Sequence, residues 1–185
     1  MIAVRPPNRN RQQGAILVIT LLFLTILTLV GVSAMTTGTM EERMARNSRD
    51  FNLAFQAAEA GLRDARADLT GAAGISTRNP VIIGNASFPV SGCSLGLCVM
   101  AASGATPVWE IESNWTTAGT YVAYATYTTA LPLPLAPTPG GVAQAPRYLI
   151  EYIGASGPQY IYRITSRGWG ASANTYVMLQ EEVLR

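Results

Sequence analysis

The sequence predicts an α+β protein in which one long N-terminal helix is packed on a C-terminal head built from an antiparallel sheet. Three observations predict this fold class. Residues 15–34 carry no charge, residues 41–65 lack proline and are dense in good helix formers, and the C-terminal part is rich in β-branched and aromatic residues. Apolar residues make up 49% of the 185 residues and charged residues 13%, which argues for partial burial in a membrane.

The uncharged run at 15–34 is long enough to cross a lipid bilayer. A helix of about twenty residues spans about 30 Å, which is the thickness of bilayer hydrocarbon. Arg5, Arg9 and Arg11 precede the run, and Glu41 is the first acidic residue after it. The positive-inside rule therefore predicts a cytoplasmic N-terminus and an exported head. The polar residues of the run can hydrogen-bond to carbonyls one turn earlier and so remain compatible with lipid; they include Thr20, Thr25 and Thr28.

Residues 1–14 are interpreted as a short leader peptide. A conventional secretory signal has an apolar region of about 7–15 residues followed by a small-residue cleavage site. Ser33-Ala34 offers such a site, but the apolar run is longer than that range. The boundary between the basic leader and the apolar helix is instead similar to a prepilin peptidase site. The similarity implies cleavage after Gly14 on the cytoplasmic side, with Ala15 as the new, methylated N-terminus.

The helix is predicted to continue past the membrane, with 15–35 as its transmembrane part and 41–70 as its amphipathic part. One mostly apolar stripe recurs at alternating spacings of four and three, which is typical of one helix face. Its members are Met44, Ser48, Phe51, Phe55, Ala58, Leu62, Ala65 and Leu69. We expect the lower half of the stripe to pack on the sheet of the same chain and the upper half to face other subunits.

Two further features of the helix follow from its sequence. Opposite charges four residues apart predict ion pairs worth ~0.3 kcal/mol each on the wet faces. The predicted pairs are Glu42 with Arg46, Arg46 with Asp50, and Glu59 with Arg63. The segment 36–39, which is rich in threonine and contains Gly38, is the weakest helical stretch, and we expect the membrane exit there.

The segment GAILVITLLFLTILTLVGVSAM followed by EERMARNSRDFNLAFQAAEAGLRDA resembles the N-terminal region of PilX-type minor pilins over about residues 11–70. The resemblance implies the type IV pilin fold and an inner-membrane anchor that later packs among neighbouring helices of a pilus. It implies prepilin peptidase, other minor pilins, the major pilin and a large tip adhesin as partners, and roles in pilus assembly, twitching motility and cell adhesion.

One residue departs from the major-pilin pattern. Ile19 is the fifth residue after the proposed cut, where major pilins carry a glutamate that neutralises a neighbour's terminal amine in an apolar setting. Ile19 cannot supply that charge. Since a subunit at the extreme tip lacks a neighbour on one side, the departure favours a minor pilin that primes assembly at or near the pilus tip.

Residues 71–185 are predicted to form a periplasmic or extracellular head. Cys93 and Cys98 are separated by five positions with a central glycine, and in an oxidising compartment this spacing suits a small disulfide loop. Glu151 and Arg163 are expected to pair across two strands at the surface. Strands are predicted at 108–112, 121–127, 148–153, 160–165 and 176–183, the last three as a meander, with short apolar pieces at 81–83 and 88–90.

The proline-rich segment 131–146 predicts a surface loop, and either an inert connection or a contact with a partner fits it. The chain contains no histidine and only two cysteines, and it shows no nucleophile motif, phosphate-binding loop or basic patch. We therefore expect no catalytic residue, cofactor, metal or nucleic acid. The remaining alternatives are a type II secretion minor pseudopilin that also lacks the glutamate, which usually has a larger head, and a membrane-anchored exported enzyme.

Overall fold

The computed structural model describes residues 13–71, 76–78, 82 and 84–185. The predicted leader up to residue 12, with its three arginines, lies outside this part of the chain, as do residues 81 and 83 of the predicted apolar piece at 81–83. The chain divides into two compact units, one ending at Asn47 and the other beginning at Ser48.

The first unit contains the N-terminal part of the helix α1, which runs from Gln13 to Thr70. Every side chain described between residues 14 and 47 is exposed. The hydroxyl groups of the threonines donate to carbonyls three residues earlier, at 2.9 Å for Thr20 and at 2.8 Å for Thr25 and Thr28, as predicted. The helix is unbroken at 36–39. The helix therefore keeps the continuous backbone hydrogen bonding that a membrane span requires.

The second unit contains the remainder of α1 and a sheet of six strands among the described residues. The strands are β1 (Cys93–Ser94), β2 (Leu97–Val99), β3 (Val122–Ala123), β4 (Arg147–Ser156), β5 (Gln159–Trp169) and β6 (Tyr176–Leu184). Their order is β1-β2-β4-β5-β6, and β3 pairs with β4. Strands β4, β5 and β6 form the predicted antiparallel meander, with Gly157-Pro158 as the first turn. The α+β fold class is therefore confirmed.

The sheet is mixed, whereas the sequence predicted antiparallel pairing. β2 runs parallel to β4, with Leu97 opposite Ile150 and Val99 opposite Tyr152. This pairing places the disulfide loop at one edge of the sheet, next to β4. Because parallel strands need a long connection between them, the partner of β2 lies about fifty residues away and is not visible in any local pattern.

The strand predicted at 108–112 is wrong. Val108–Glu110 forms a 3₁₀ turn after Pro107, and Ser113–Thr116 forms the short helix α2. The carbonyls that a strand would use accept side-chain donors instead. The Asn114 side chain donates to the Val108 carbonyl at 2.8 Å, and the Trp115 indole donates to the Trp109 carbonyl at 2.8 Å. We refer to residues 107–121, which include these turns, as the cover segment.

The strand predicted at 121–127 is mostly wrong as well, since only Val122–Ala123 pairs with β4. The backbone turns immediately afterwards, because Ala125 has a φ of 63°. The N–H of Ala125 donates to the Asp64 carboxylate at 2.8 Å. This hydrogen bond holds the turn against α1, and the strand ends there.

The core of the second unit consists of three layers, in which the sheet lies between α1 and the cover segment. On the helix-side face, side chains of α1 meet alternate residues of the long strands. This cluster contains Ala65, Leu69, Ile82, Leu97, Val122, Tyr148, Ile150, Tyr162 and Ile164, all buried. On the outer face, the cover segment supplies the apolar partners of the sheet. That cluster contains Cys98, Val108, Trp115 and Leu149.

Small residues allow α1 to approach β5 closely. A Cβ atom at Gly168 would lie 2.6 Å from the carbonyl oxygen of Ala54 and would collide with the backbone of Ala58. Ala54 and Ala58 are fully buried. The alanine-rich side of α1 and Gly168 therefore set the distance between helix and sheet.

Candidate assembly site

The first candidate region is the N-terminal part of α1, which holds the predicted cleavage site and the position without a glutamate. Gly14, Ala15 and Ile19 all lie on the exposed helix surface, with Ile19 57% exposed. Among the described residues, one helix is long and apolar enough to cross a membrane, and it is this one. The described chain supplies no protein surface to cover these apolar side chains. Such a surface is stable only in lipid or against other protein molecules.

The predicted apolar stripe divides into an exposed part and a buried part. Met44, Phe51 and Phe55 are 64%, 53% and 42% exposed, whereas Leu62 is half-buried against the helix-side core and Leu69 is fully buried. This face of the helix is mostly apolar along its whole length, but it is exposed near its start and buried near its end. The exposed first part is therefore the part that a partner can contact.

The charged pairs of α1 follow the prediction at two of three places. Arg46 donates to Glu42 at 2.5 Å and Arg63 donates to Glu59 at 3.4 Å, both on exposed surface. Asp50 accepts instead from the backbone N–H groups of Ala171 and Ser172, at 2.5 and 3.2 Å. Asp50 therefore ties the β5–β6 turn to the helix.

Two buried acids of α1 hold the irregular segments of the head, and the sequence analysis missed both. The Asp68 carboxylate accepts from the Arg78 guanidinium at 2.6–3.0 Å and from the Tyr148 hydroxyl at 2.9 Å. One turn earlier, Asp64 accepts from Thr128 as well as from the turn at Ala125. Burial raises the pKa of Asp64 and that of Tyr148. Asp64 and Asp68 lie on the same helix face as the buried residues Ala65 and Leu69, and this position in the sequence could have indicated that the two acids are buried.

The C-terminal residue closes the end of α1. The Arg185 guanidinium donates to the carbonyls of Leu69 and Ile82, each at 2.5 Å. A cation at a helix C-terminus satisfies carbonyls that have no partner within the helix and also opposes the helix dipole. The last strand and the first helix are thereby joined directly.

The disulfide loop forms as the sequence predicted. The sulfur atoms of Cys93 and Cys98 are bonded, and the two cysteines face each other across the β1–β2 hairpin. Leu95 and Gly96 form its turn with φ values of 49° and 76°, a conformation that suits glycine far better than leucine. Leu95 is 52% exposed at this tip. The hairpin lies at one edge of the sheet, where it presents a small, rigid surface.

Arginine and aromatic side chains fasten the cover segment to the outer face. The Arg167 guanidinium donates to the Glu112 carboxylate at 2.7 Å and lies 3.9 Å from the centre of the Tyr176 ring. Arg147 donates to the Trp115 carbonyl and lies 4.2 Å from the centre of the Tyr121 ring. Because Arg147 and Arg167 are opposite each other in β4 and β5, one row of the sheet holds the cover segment at Glu112, Trp115 and Tyr121.

The expected surface pair between Glu151 and Arg163 is wrong. The two residues are partners in the strand register, but Arg163 donates to Glu182 at 3.2 Å. Glu151 is 1% exposed, and within the part of the chain that the structure describes its carboxylate oxygens have no hydrogen-bond partner. Loss of solvation raises the pKa of Glu151 to about 7, and the positive charge of Arg163 opposes this rise in part. Because residues 108–112 were predicted as a strand, the sequence analysis did not anticipate that the outer face of the sheet, on which Glu151 lies, is covered.

The proline-rich segment 131–146 forms an ordered surface loop. Its middle part, residues 134–142, is closed by hydrogen bonds from Ala136 N–H to the Val142 carbonyl and from Val142 N–H to the Pro134 carbonyl, each 2.9 Å long. Val142 is buried, while Leu131 is 84% exposed. Within the described chain, no group of three or more histidine, cysteine or acidic residues could hold a metal ion.

A long N-terminal helix, apolar and uncovered in its first part and packed on a sheet in its second part, is the layout of a type IV pilin. Two family models match the chain: PilX N-terminal, over residues 13–63, and Type IV pilus assembly protein PilX C-term, over residues 94–185. The chain belongs to the PilX-type minor pilins of type IV pili. No curated protein and no solved structure matches it. PilX-type pilins are structural components of the pilus and interact with other pilus components.

Proposed function

We propose that this minor pilin helps to prime type IV pilus assembly and occupies a position at or near the pilus tip. The observation that carries the proposal is Ile19, which leaves the exposed surface of α1 without a carboxylate at the fifth position after Gly14. A subunit without this charge has no group to neutralise the N-terminal amine of a neighbour. Its place is therefore where a helical array begins.

The proposal includes a change of environment for α1. Prepilin peptidase removes residues 1–14 on the cytoplasmic side, the span 15–35 stays in the inner membrane, and the head faces the periplasm. The apolar surface of the span is then transferred from lipid to the helices of other minor pilins and of the major pilin, and the exposed part of the stripe, which continues to Phe55, packs against the same helices. Since apolar area is buried both before and after the transfer, the step needs no exposure of the span to water.

The head offers two rigid projections to a large tip adhesin. One is the disulfide hairpin with exposed Leu95, and the other is the proline-rich loop with exposed Leu131. Both are closed by covalent or backbone bonds, so binding would cost little ordering entropy. Contact through either of them would account for a role in adhesion and twitching motility.

Mass spectrometry of the native N-terminus tests the processing step. The expected first residue is a methylated Ala15 in protein recovered from membranes and from sheared pili. A chain that still carries Met1 to Gly14 in assembled pili, or a chain that begins after Ala34, would overturn this step. The second result would instead indicate conventional signal cleavage.

The variant Ile19→Glu tests the tip position. With the carboxylate present, we expect the subunit to be incorporated along the shaft and the number of pili per cell to fall. Immunogold labelling of the head on intact pili measures the first effect, and counting of pili measures the second. Ile26→Glu is the matched control, because it places the same charge seven residues further along an exposed part of the same helix, away from the amine. Unchanged tip labelling and unchanged pilus number in Ile19→Glu would remove the support for this position.

The alternative function is a minor pseudopilin of a type II secretion system. A deletion strain distinguishes the two, since loss of pili with normal secretion supports the pilus role. Loss of secretion with normal pili would favour the alternative.

A further inference from the structure

One row of side chains crosses the outer face of the sheet and contains a buried acid. The strand register places Cys98, Glu151, Arg163 and Glu182 side by side on β2, β4, β5 and β6. Glu151 is buried in the middle of this row, and among the described residues nothing hydrogen-bonds to its carboxylate. An ionised carboxylate in such a place is costly, because neither water nor a donor replaces its solvation.

Arg163 is the cation opposite Glu151, but its guanidinium is engaged elsewhere. It donates to the Glu182 carboxylate at 3.2 Å and lies 5.0 Å from the centre of the Trp109 ring. Trp109 belongs to the cover segment, and its carbonyl accepts the hydrogen bond from the Trp115 indole at 2.8 Å. Arg163 therefore connects the position of the cover segment to the row that contains the buried acid.

The other charged groups on this face are held by different partners. Arg167 pairs with Glu112, and Arg147 bonds to the Trp115 carbonyl and to Gln144. Glu110 is exposed on the cover segment, and Cys98 is held in the disulfide and does not titrate. Of the described charged groups, Arg163 is therefore the one whose rearrangement can compensate a negative charge on Glu151.

We propose that Glu151 is a proton-operated latch for the cover segment. While the carboxyl is uncharged, Arg163 stays with Glu182 and Trp109, and the cover segment lies closed on the sheet. When the carboxyl releases its proton to solvent, Arg163 turns to the new carboxylate and leaves Trp109. The cover segment then loosens at the 3₁₀ turn that carries Trp109, while Arg147 and Arg167 keep their contacts with Trp115 and Glu112. The pKa of Glu151, raised to about 7, places this transition near neutrality. The inference does not depend on the proposed tip position.

Hydrogen exchange with mass spectrometry on the full chain in detergent micelles tests the latch. Rates are corrected for the intrinsic effect of pH and compared with those of the β5–β6 hairpin in the same sample. In the wild type, we expect protection of residues 107–121 to fall about tenfold between acidic and alkaline pH, with a midpoint near 7. Glu151→Gln cannot ionise, so its cover segment should stay protected throughout. In Glu182→Gln, Arg163 is released from its partner and the midpoint should move to lower pH.

Two results would overturn the proposal. One is the same pH-dependent loss of protection in Glu151→Gln as in the wild type. The other is constant protection in the wild type while the ¹³C signal of the Glu151 carboxyl, identified by its absence in Glu151→Gln, shows that it ionises. If Glu151→Gln does not fold, Arg163→Gln replaces it and should raise the midpoint. Unchanged midpoints in both Arg163→Gln and Glu182→Gln would exclude an exchange of partners by Arg163.

Discussion

Buried acids in the head differ in how the protein satisfies them. Asp68 has the guanidinium of Arg78 and the hydroxyl of Tyr148, whereas Glu151 has no hydrogen-bond partner in the described chain. Removing one member of a buried ion pair leaves the other charge buried without a partner, which destabilises the fold. Neutralising a buried acid that has no partner instead removes the free-energy cost of its desolvated charge. The two residues should therefore respond to the same isosteric substitution in opposite directions.

The substitution Asp68→Asn should lower the free energy of unfolding by ~3–5 kcal/mol, because it leaves Arg78 buried without its counter-charge. Arg78 and Asp68 have side chains that are 6% and 0% exposed, so water cannot compensate. Denaturant unfolding followed by tryptophan fluorescence measures the change. Glu59→Gln is the control, because its pair with Arg63 is exposed and worth at most ~1 kcal/mol. Equal midpoints for the two variants would show that the buried pair does not stabilise the head.

The substitution Glu151→Gln should change the pH dependence of stability. Because the pKa of Glu151 is raised from 4.5 to about 7 on folding, the folded state binds the proton more tightly than the unfolded state. The contribution of Glu151 to the free energy of unfolding is therefore greatest at low pH, falls as the pH rises from about 4.5 to about 7, and is constant above that.

In Glu151→Gln this decline should be absent, and the variant should be more stable than the wild type at pH 8 by up to ~3 kcal/mol. Unfolding curves at pH 4, 6 and 8 measure the difference. The pKa of Asp64 is raised in the same direction, but both proteins contain Asp64, so the comparison isolates Glu151. Parallel stability profiles for the two proteins would contradict the expectation.

At the scale of elements, the long helix and the meander could be predicted because their patterns are local. The content of β-branched and aromatic residues identified most of β4, β5 and β6, and the absence of charge identified the first part of α1. The pairing of Cys93 with Cys98 also followed from short spacing.

The elements that were missed depend on contacts between distant residues. The parallel pairing of β2 joins residues about fifty positions apart, and the end of β3 is set by Asp64, which lies on α1. The 3₁₀ turn at Val108–Glu110 has the composition of a strand, but side chains of α2 occupy its carbonyls. The sequence therefore did not reveal that the outer face of the sheet, on which Glu151 lies, is covered.

The contact between α1 and β5 predicts the effect of Gly168→Ala. A methyl group there would meet the backbone of α1, which cannot move away as a flexible side chain can. We expect a loss of ~1–3 kcal/mol, which is typical of overpacking in a close-packed interior. Thermal unfolding measures it, and Gly154→Ala on the neighbouring strand is the control because nothing lies within 4 Å of its added atom. Similar melting temperatures for the two variants would show that helix and sheet are not in close contact at this point.

At the scale of the whole molecule, one helix contributes to two units, and its side chains are exposed in the first and partly buried in the second. Up to Asn47, the described side chains of α1 are exposed, and the apolar ones among them are stable only in lipid or against other protein molecules. From Ser48 onward the same helix supplies core residues, among them Ala54, Ala58 and Leu69. A division into helix and head at residue 71, as the sequence suggested, would separate Asp64 and Asp68 from the segments that they hold.

This division predicts how fragments of the chain behave. A fragment of residues 48–185 keeps both acids, the alanine-rich face and the contact at Gly168, and it should fold in water without detergent. A fragment of residues 71–185 lacks one layer of the core, exposes Tyr148, Ile150 and Ile164 on the sheet, and leaves Arg78 without Asp68. It should show no cooperative thermal transition, because a sheet with one uncovered face does not bury enough apolar area to offset its loss of chain entropy. Near-ultraviolet circular dichroism during heating distinguishes the two outcomes. Cooperative melting of the shorter fragment at the temperature of the longer one would mean that α1 is dispensable for the head, and aggregation of both would mean that the first unit is needed for folding.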